Sequence, residues 1–381
     1  MASSTKRFRF LAQGTLSWPE LDPLLLILTV VLPLIGVVVV ASALMPLLAS
    51  DAPAFGAAIL RNALITTIGI VVALCVAQID YRRYGSRSWL LYLIAIALLV
   101  AVLIPGIASS NGPRRWLDIS ILSFQPSEIA KPALILLLSY WAGRAATHIH
   151  EGRTFLTGLL IAGIPLVLVV IEPDLGTTLI ILGTTSTVVF VAGASLRHFL
   201  LIGVVLIVGF AASIARNPYQ FIRIQAFFNP GEDLLNTGYQ AQQSLLALGS
   251  GGITGKGLGM GIMKFLYLPA PHTDSVFAVI GEEFGLVGTA TLVGLFGLLL
   301  VRGLWIAYQA PDTYGRCLAA GITFQLVTQA FVNMLVVTGR LPVTGLPLPF
   351  ISSGGTSLIV SLTMLGILMN VSRAASLKTA P

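Results

Sequence analysis

The sequence predicts an all-α polytopic membrane protein with ten transmembrane helices and a large extracytoplasmic loop between helices 7 and 8. The 381-residue chain is 56% hydrophobic and only 10% charged, and its mean hydropathy is +0.92, far above the balance of soluble domains. Apolar stretches of about 20 residues, enough to cross roughly 30 Å of hydrocarbon, recur from end to end. The eighth, at 276–308, is long enough to tilt or break.

Positive charge sets the predicted orientation. Lys and Arg gather in alternate short loops, which puts both termini in the cytoplasm. The net charge of +7 follows from this topology, and it does not indicate a nucleic-acid partner because the basic residues form no stripe. Residues 1–381 are thus one membrane domain, with cytoplasmic tails at 1–22 and 373–381 and an extracytoplasmic loop at 215–275.

The loop at 215–275 is too polar to span a membrane. A connection of this length is usually functional or disordered, and its aliphatic and aromatic content favours packing over disorder. It contains LNTGYQAQQSLLALGSGG, which predicts a short amphipathic helix ended by glycines, and GKGLGMGIMKFLYLP, which predicts a glycine-rich turn leading to an interfacial segment. We interpret the loop as a lid at the outer membrane surface, with Lys264 as a candidate substrate-binding residue.

Cysteine and histidine chemistry is not supported. Cys75 and Cys317 are far apart and form no CxxC pair, and the four histidines give no HExxH spacing. No Walker-type phosphate loop and no soluble catalytic domain are evident. The sequence therefore predicts no protein-bound metal site, and any chemistry must be built within or just outside the membrane.

A first charged cluster stands at the start of the predicted fourth span, in NGPRRWLDISILSFQPSEIAKPALI. Glu128 and Lys131 are three residues apart and share one helical face, which predicts an ion pair. The pair could equally orient helices or form a charged floor for an anionic substrate group. Arg114 and Arg115 beside Trp116 suit a phosphate, since guanidinium binds its oxygens in a bidentate manner; headgroup anchoring is the alternative.

Acidic residues form two further clusters. In IEPDLGTTL, Glu172 and Asp174 lie in a tight turn between the fifth and sixth spans, where Asp174 caps a helix or contacts a substrate. In YLPAPHTDSVFAVIGEEFG, Asp274 stands at the mouth of the eighth span, directly after the glycine-rich turn. A carboxylate at this level can keep access to water and stay ionised, as a general base must. Glu282 and Glu283 are most simply interpreted as polar contacts inside the bundle, where they could pair with a basic group across it.

The final motif is TGRLPVTGLPLPFISSGGTSL. Its prolines fix the backbone, and its Ser-Gly-Gly turn opens the tenth span, where exposed N–H groups can receive an anion. Arg340 falls on the side where short loops normally avoid positive charge. Arg340 and Ser352 are therefore candidate substrate contacts.

Five motifs follow one another along the chain, namely FQPSEIAKPALI, EPDLGTTL, GYQAQQSLLALGSGG, GKGLGMGIMKFLYLPAPHTDSVFAVIGEEFG and LPVTGLPLPFISSGGTSL. Together they resemble the SEDS family of shape, elongation, division and sporulation proteins, typified by RodA and FtsW. The resemblance covers nearly the whole chain. Its motifs do not decide between an enzyme of cell elongation, as RodA is, and one of cell division, as FtsW is, and the FtsW type is slightly favoured. The sequence departs from the commonest family pattern at Ser275, where an aromatic residue often stands, and at Ser353, where Tyr is frequent.

The resemblance implies a peptidoglycan glycosyltransferase that polymerises lipid II at the outer face of the bacterial cytoplasmic membrane. It also implies a class B penicillin-binding protein as partner, besides the membrane lipids. The catalytic Asp of the family falls on Asp274. The family's salt-bridged Glu and Lys, its loop aspartate and its arginine pair fall on Glu128, Lys131, Asp174, Arg114 and Arg115.

The expected mechanism has Asp274 accept the proton of an acceptor sugar hydroxyl as that oxygen attacks the donor sugar. The leaving diphosphate then needs cationic stabilisation from arginine, lysine or a divalent cation such as Mg²⁺ or Mn²⁺. Two other functions suit the same bundle: a lipid II flippase or other transporter, and a noncatalytic scaffold for a penicillin-binding protein. The enzyme is favoured because acids, arginines and the lid concentrate toward one face.

Overall fold

The computed structural model shows a helical bundle. It describes residues 21–104, 115–119, 122–149, 151–195, 218–228, 237–265 and 267–379, with a few positions between 197 and 209. These residues contain twelve helices and a short antiparallel hairpin of β1 (Leu117–Ile119) and β2 (Leu122–Phe124). The helices are α1 (Pro23–Ala43), α2 (Met45–Ser50), α3 (Ala52–Ala77), α4 (Tyr81–Leu103), α5 (Pro126–Ala145), α6 (Gly152–Ile171), α7 (Leu175–Val191), α8 (Pro218–Phe228), α9 (Thr237–Gly251), α10 (Val276–Gln309), α11 (Thr313–Val337) and α12 (Gly355–Thr379).

Seven of these helices are long and apolar enough to cross a membrane, namely α1, α3, α4, α6, α10, α11 and α12. Helix α5 occupies the predicted fourth span but is charged, and α7 is an apolar helix of only 17 residues. The predicted seventh span, at 197–214, lies largely outside the described residues. A multi-pass helical membrane protein is thus confirmed, while the number of ten spans stays a prediction.

The described part of the predicted loop at 215–275 contains two helices, α8 and α9. The amphipathic helix expected in this segment is α9, and Gly252 directly after it has a φ of 57°, as is common where glycine ends a helix. Helix α9 packs on α10 and α11.

The two predicted tails differ in how far the structure describes them. The tail at 1–22 lies almost entirely outside the described residues. At the other end, α12 continues to Thr379, into the predicted tail at 373–381.

Helix α11 stands at the centre of the bundle, in contact with α5, α7, α10 and α12. Most of its surface is buried, including Gln325, Gln329 and Asn333. Because a buried amide without a hydrogen-bond partner is costly, these side chains must be met by polar groups of neighbouring elements. They connect α11 to the site described below.

Helix α10 is broken at Gly285, whose φ of 63° and ψ of −156° are not helical. The expectation that the eighth span tilts or breaks is therefore confirmed. The part after the break, 286–309, is about 36 Å long at 1.5 Å per residue, which is enough to cross roughly 30 Å of hydrocarbon alone. The half-helix before the break, 276–284, is therefore not needed to cross the membrane. It can instead position the residues that precede it.

The connection between α11 and α12, residues 338–354, enters the bundle as irregular backbone. A Cβ added to Gly36, in the middle of α1, would lie 2.6 Å from the carbonyl oxygen of Phe350. Phe350 is buried and its ring stacks on Phe296, with 6.3 Å between the ring centroids. Irregular backbone at such a depth is tolerated where it is surrounded by protein.

Candidate functional site

Asp274 lies directly before α10, and the backbone around it is held from two sides. The hydroxyl of Ser352 donates to the carbonyl oxygen of Thr273 at 2.6 Å, and the side-chain amide of Asn333 on α11 donates to the carbonyl oxygen of Asp274 at 2.9 Å. Ser352 also accepts the N–H of Leu348 at 2.9 Å. The predicted substrate contact Ser352 therefore fastens the Asp274 loop to the 338–354 connection.

The Asp274 carboxylate is half-buried among charged groups. Burial raises its pKa above the ordinary value, the positive charge of Arg223 on α8 opposes that rise, and the negative charge of Asp174 adds to it. A Cβ added to Gly345 would lie 3.7 Å from the carboxylate oxygen Oδ2. The site thus joins an acid of raised pKa with a cation and a second acid.

Asp174 caps α7, which is one of the two roles that the sequence predicted for it. Its carboxylate accepts the N–H and the hydroxyl of Thr177, each at 3.0 Å, and the side-chain amide of Gln125 at 3.2 Å. A guanidinium nitrogen of Arg115 lies 3.8 Å away. Capping does not exclude a substrate-side role, because the same carboxylate acts electrostatically on Asp274.

Arg115 binds the turn that contains Asp174. Its Nε donates to the carbonyl oxygen of Glu172 at 2.9 Å, and its Nη2 donates to the carbonyl oxygen of Pro173. These bonds use part of the guanidinium fork that the sequence assigns to a phosphate, and the phosphate role stays a prediction. Arg114 lies outside the described residues.

The side chain of Glu172 is buried in this turn, and neither of its carboxylate oxygens has a hydrogen-bond partner among the residues that the structure describes. Burial raises the pKa of Glu172 to about 8, with a further rise from Asp174 and a partial offset from Arg115. At neutral pH the group is therefore mainly protonated in the folded protein.

Glu172→Gln should flatten the dependence of thermal stability on pH. In the parent, the unfolded chain releases this proton near the ordinary glutamate pKa of 4.5, while the folded chain keeps it up to a pKa of about 8. Stability is therefore lost as pH rises across this window, by roughly 2–5 °C in Tm. Melting curves in detergent at pH 5 to 9 test this, and equal slopes for parent and variant would contradict it.

Glu128 and Lys131 form the predicted ion pair, with 2.8 Å between Lys131 Nζ and Glu128 Oε1. Lys131 also donates to the side-chain oxygen of Gln329 on α11 at 2.8 Å, and Gln329 donates to the carbonyl oxygen of Pro347 at 3.0 Å. The pair is buried. It is connected through α11 to the same 338–354 segment that holds Asp274, and its role as a charged floor stays a prediction.

Two candidate residues are placed elsewhere. Lys264 is buried, and its Nζ contacts Glu283 at 2.7 Å and Ser42 at 2.8 Å. Glu282 likewise pairs with Lys256 at 2.7 Å, so the expectation that both glutamates pair with basic groups is confirmed. Arg340 is exposed. Within the described part of the chain no contact joins Lys264 or Arg340 to Asp274, and their substrate roles stay predictions.

Sequence reasoning missed several polar residues of the site. Gln325, Gln329 and Asn333 recur every four residues on an otherwise apolar helix, and this spacing was a usable signal because it places them on one face. Gln125 precedes α5 and Arg223 lies in the long loop. No pattern in the sequence predicts that Gln125 lies beside Asp174 or that Arg223 lies near Asp274.

The described residues contain no group of three His, Cys, Asp or Glu side chains that could hold a metal ion. Mg²⁺ is commonly bound by one or two carboxylates together with substrate phosphates. Asp174 is the acid that acts on Asp274 electrostatically at this site, and a single carboxylate of this kind suits a divalent cation that arrives with a diphosphate.

Comparison with known proteins supports the resemblance noted in the sequence. A model of the cell cycle protein family of FtsW, RodA and SpoVE matches residues 23–377. Stage V sporulation protein E of Bacillus subtilis is 41% identical over 356 residues, which cover 92% of this chain and 97% of that protein. The probable peptidoglycan glycosyltransferase FtsW of Trichlorobacter lovleyi is 39% identical over 364 residues, 95% of each chain.

Solved structures share the fold. A chain of a peptidoglycan synthase complex, described as coordinating polymerization and crosslinking, superposes with a TM-score of 0.78 at 32% identity, covering 94% of this chain and 99% of that one. The rod shape determining protein RodA of Thermus thermophilus gives a TM-score of 0.67 at 31% identity, covering 93% and 98%. This chain is a member of the cell cycle protein family of FtsW, RodA and SpoVE.

Proposed function

We propose that the chain is a peptidoglycan glycosyltransferase that polymerises lipid II at the outer face of the cytoplasmic membrane, with Asp274 as its general base. The observation that carries the proposal is the half-buried Asp274 carboxylate, held by Ser352 and Asn333 through its backbone and flanked by the charges of Arg223 and Asp174. The names of the FtsW relatives support the reaction class.

In this mechanism the ionised Asp274 carboxylate takes the proton of a hydroxyl on the acceptor sugar. The freed oxygen electron pair forms a bond to the anomeric carbon of the donor, and the bond from that carbon to the diphosphate breaks with its electron pair. Polyprenyl diphosphate leaves. General-base assistance of this kind contributes about 10²–10⁴-fold.

The departing diphosphate needs positive charge nearby. Arg223 acts on Asp274 electrostatically and is the cation that the structure adds to those expected from the sequence, Arg114, Arg115, Lys131 and Arg340. A divalent cation held by the substrate diphosphate beside Asp174 would supply further charge neutralisation. The residues of this chain perform the proton transfer and hold the two sugars in register.

A class B penicillin-binding protein is the proposed partner. The similarity to a chain of a peptidoglycan synthase complex supports it. With both termini in the cytoplasm, as the positive charges favour, the loop at 215–275, which includes Asp274 near its end, lies at the outer face. Relatives named for sporulation and for FtsW resemble the chain about equally, so the FtsW-like role stays a prediction.

Polymerisation of lipid II by the purified full-length chain tests the proposal, with and without a class B penicillin-binding protein and Mg²⁺ or Mn²⁺. We expect glycan strands on gels, formed by the chain alone or with its partner. If a folded chain with a competent partner makes no polymer under any of these conditions, the enzyme is excluded. Flipping of fluorescent lipid II in proteoliposomes then separates a transporter from a scaffold.

The rate of polymerisation should rise with pH through a raised apparent pKa. Asp274 must be ionised to act as a base, and burial raises its pKa above the ordinary value of an aspartate, so the acid limb of the kcat profile is displaced to higher pH. His272 is the neighbouring group that could mimic this limb. His272→Gln should leave the limb at the same pH, and a displaced limb in that variant would assign the titration to His272.

A further inference from the structure

The break in α10 leaves backbone groups that a continuous helix would satisfy itself. The glycine-rich segment, residues 252–265, supplies their partners. The N–H groups of Lys256 and Gly257 donate to the carbonyl oxygens before the break at 3.0 and 2.9 Å, and the carbonyl oxygen of Gly252 accepts the N–H of Leu286 after the break at 2.9 Å. The segment therefore joins the two halves of α10.

The fit between this segment and the break requires glycine on both sides. A Cβ on Gly255 would lie 2.2 Å from the carbonyl oxygen of Glu283, and a Cβ on Gly285 would lie 2.4 Å from the backbone nitrogen of Gly255. Both glycines have a positive φ, 80° and 63°, a conformation that other residues rarely adopt. The half-helix before the break can therefore pack against the glycine-rich segment in only one position.

A buried ion pair attaches the same half-helix to α1. Lys264 Nζ lies 2.7 Å from Glu283 Oε1, and both side chains are 0% exposed. Ser42, at the end of α1, donates to the Glu283 carboxylate at 2.6 Å and accepts from Lys264 Nζ at 2.8 Å. The three side chains therefore link the glycine-rich segment, α10 and α1 at one point.

We propose that the Lys264–Glu283 pair, with Ser42, is a positioning site that sets the place of the Asp274 carboxylate through the half-helix 276–284. The inference rests on the proposed function of Asp274. Glu283 stands at one end of the half-helix, about 13 Å from Asp274 at the other end. Productive geometry tolerates a displacement of only about 0.5 Å, so a half-helix released at Glu283 misplaces the base.

The burial of the pair is better explained by positioning than by stability. Well-packed neutral residues usually stabilise a fold as well as a buried ion pair does, whereas removal of one partner leaves a costly unpaired charge. The pair therefore fixes the position of the half-helix in a way that a neutral replacement would not. This difference provides the test.

The test compares Glu283→Ala with the double variant Lys264→Met/Glu283→Gln in the full-length chain. The single variant leaves Lys264 as an unpaired buried charge and should melt at a lower temperature. The double variant should recover the parental Tm, but its kcat for lipid II polymerisation should stay roughly 10–100-fold low with little change in KM. Recovery of both Tm and kcat would overturn the proposal and leave a purely structural pair.

Arg302→Met is the matched control. Arg302 lies on α10 beyond the break and pairs with Asp22 at the start of α1, at 2.7 Å, so this variant also removes an ion pair between α10 and α1. Its kcat should stay within about twofold of the parent, because the far half of α10 does not carry Asp274. An equal fall of kcat in both variants would show a general loss of α1–α10 packing.

Hydrogen exchange of the backbone amides of 277–284 tests the positioning without any catalysis. In the double variant these amides should exchange at least about tenfold faster than in the parent, because the half-helix has lost one attachment. Unchanged exchange rates would overturn the inference even if the chain proved not to be a polymerase. A parent that makes no polymer would instead refute the proposed function.

Discussion

Asp274→Asn should abolish polymerisation of lipid II, lowering kcat by about 10²–10⁴-fold. The amide is close in shape to the carboxylate but cannot take the proton of the acceptor hydroxyl. Because the variant removes a carboxyl group whose pKa is raised by burial, we expect no loss of thermal stability, and an inactive protein would still be folded. Initial rates at saturating lipid II, with the melting temperature measured on the same preparation, provide the readout.

Asp51→Asn makes the same chemical change at a position without a proposed catalytic role. Asp51 is an exposed residue that caps α3 by accepting the N–H of Ala54 at 2.9 Å, and Asn caps a helix about as well. Its rate should stay within about twofold of the parent. A parental rate in Asp274→Asn would exclude Asp274 as the base.

Glu128→Ala should strongly destabilise the folded protein. It leaves the ammonium group of Lys131, which is buried, with no carboxylate beside it, and breaking a buried pair in this way costs about 3–5 kcal/mol. We expect the melting temperature in detergent to fall by roughly 5–10 °C. Arg82→Gln, which removes an exposed pair with Asp312, should change stability by less than about 1 kcal/mol.

The double variant Glu128→Gln/Lys131→Met decides between the two roles that the sequence left open. Both charges disappear together, so the melting temperature should return close to that of the parent. An unchanged KM for lipid II would then identify a helix-orienting pair, and a KM raised about tenfold or more would identify a charged floor for the substrate. A melting temperature that stays low would contradict the assignment of the cost to an unpaired charge.

Sequence was sufficient where interacting residues are close along the chain. The spacing of Glu128 and Lys131 fixes one helical face, and the structure contains their ion pair. Asp174 precedes an apolar helix and caps it, and the glycines after α9 mark its end. The excess length of the eighth apolar stretch also indicated a break, which Gly285 provides.

Contacts between distant segments could not be predicted in this way. Lys264 is 222 residues from Ser42, to which it donates a hydrogen bond, and a lysine in a glycine-rich segment is equally compatible with a substrate contact. The approach of Arg223 and Asp174 to Asp274 depends on how three separate segments pack. The hairpin of β1 and β2 was missed because each strand has only three residues, too few for a pattern of alternation.

The irregular 338–354 connection also affects how such a protein can diversify. Its residues Leu348, Phe350 and Ile351 are buried in the bundle, and the backbone of Phe350 and Ile351 lies against Gly36 of α1. Loop backbone held on a rigid scaffold can change shape through a few dihedral angles, without unwinding a spanning helix whose backbone polar groups must be satisfied inside the bilayer. Variation confined to this connection can therefore reshape the surroundings of Asp274 while the spanning helices keep their backbone hydrogen bonds.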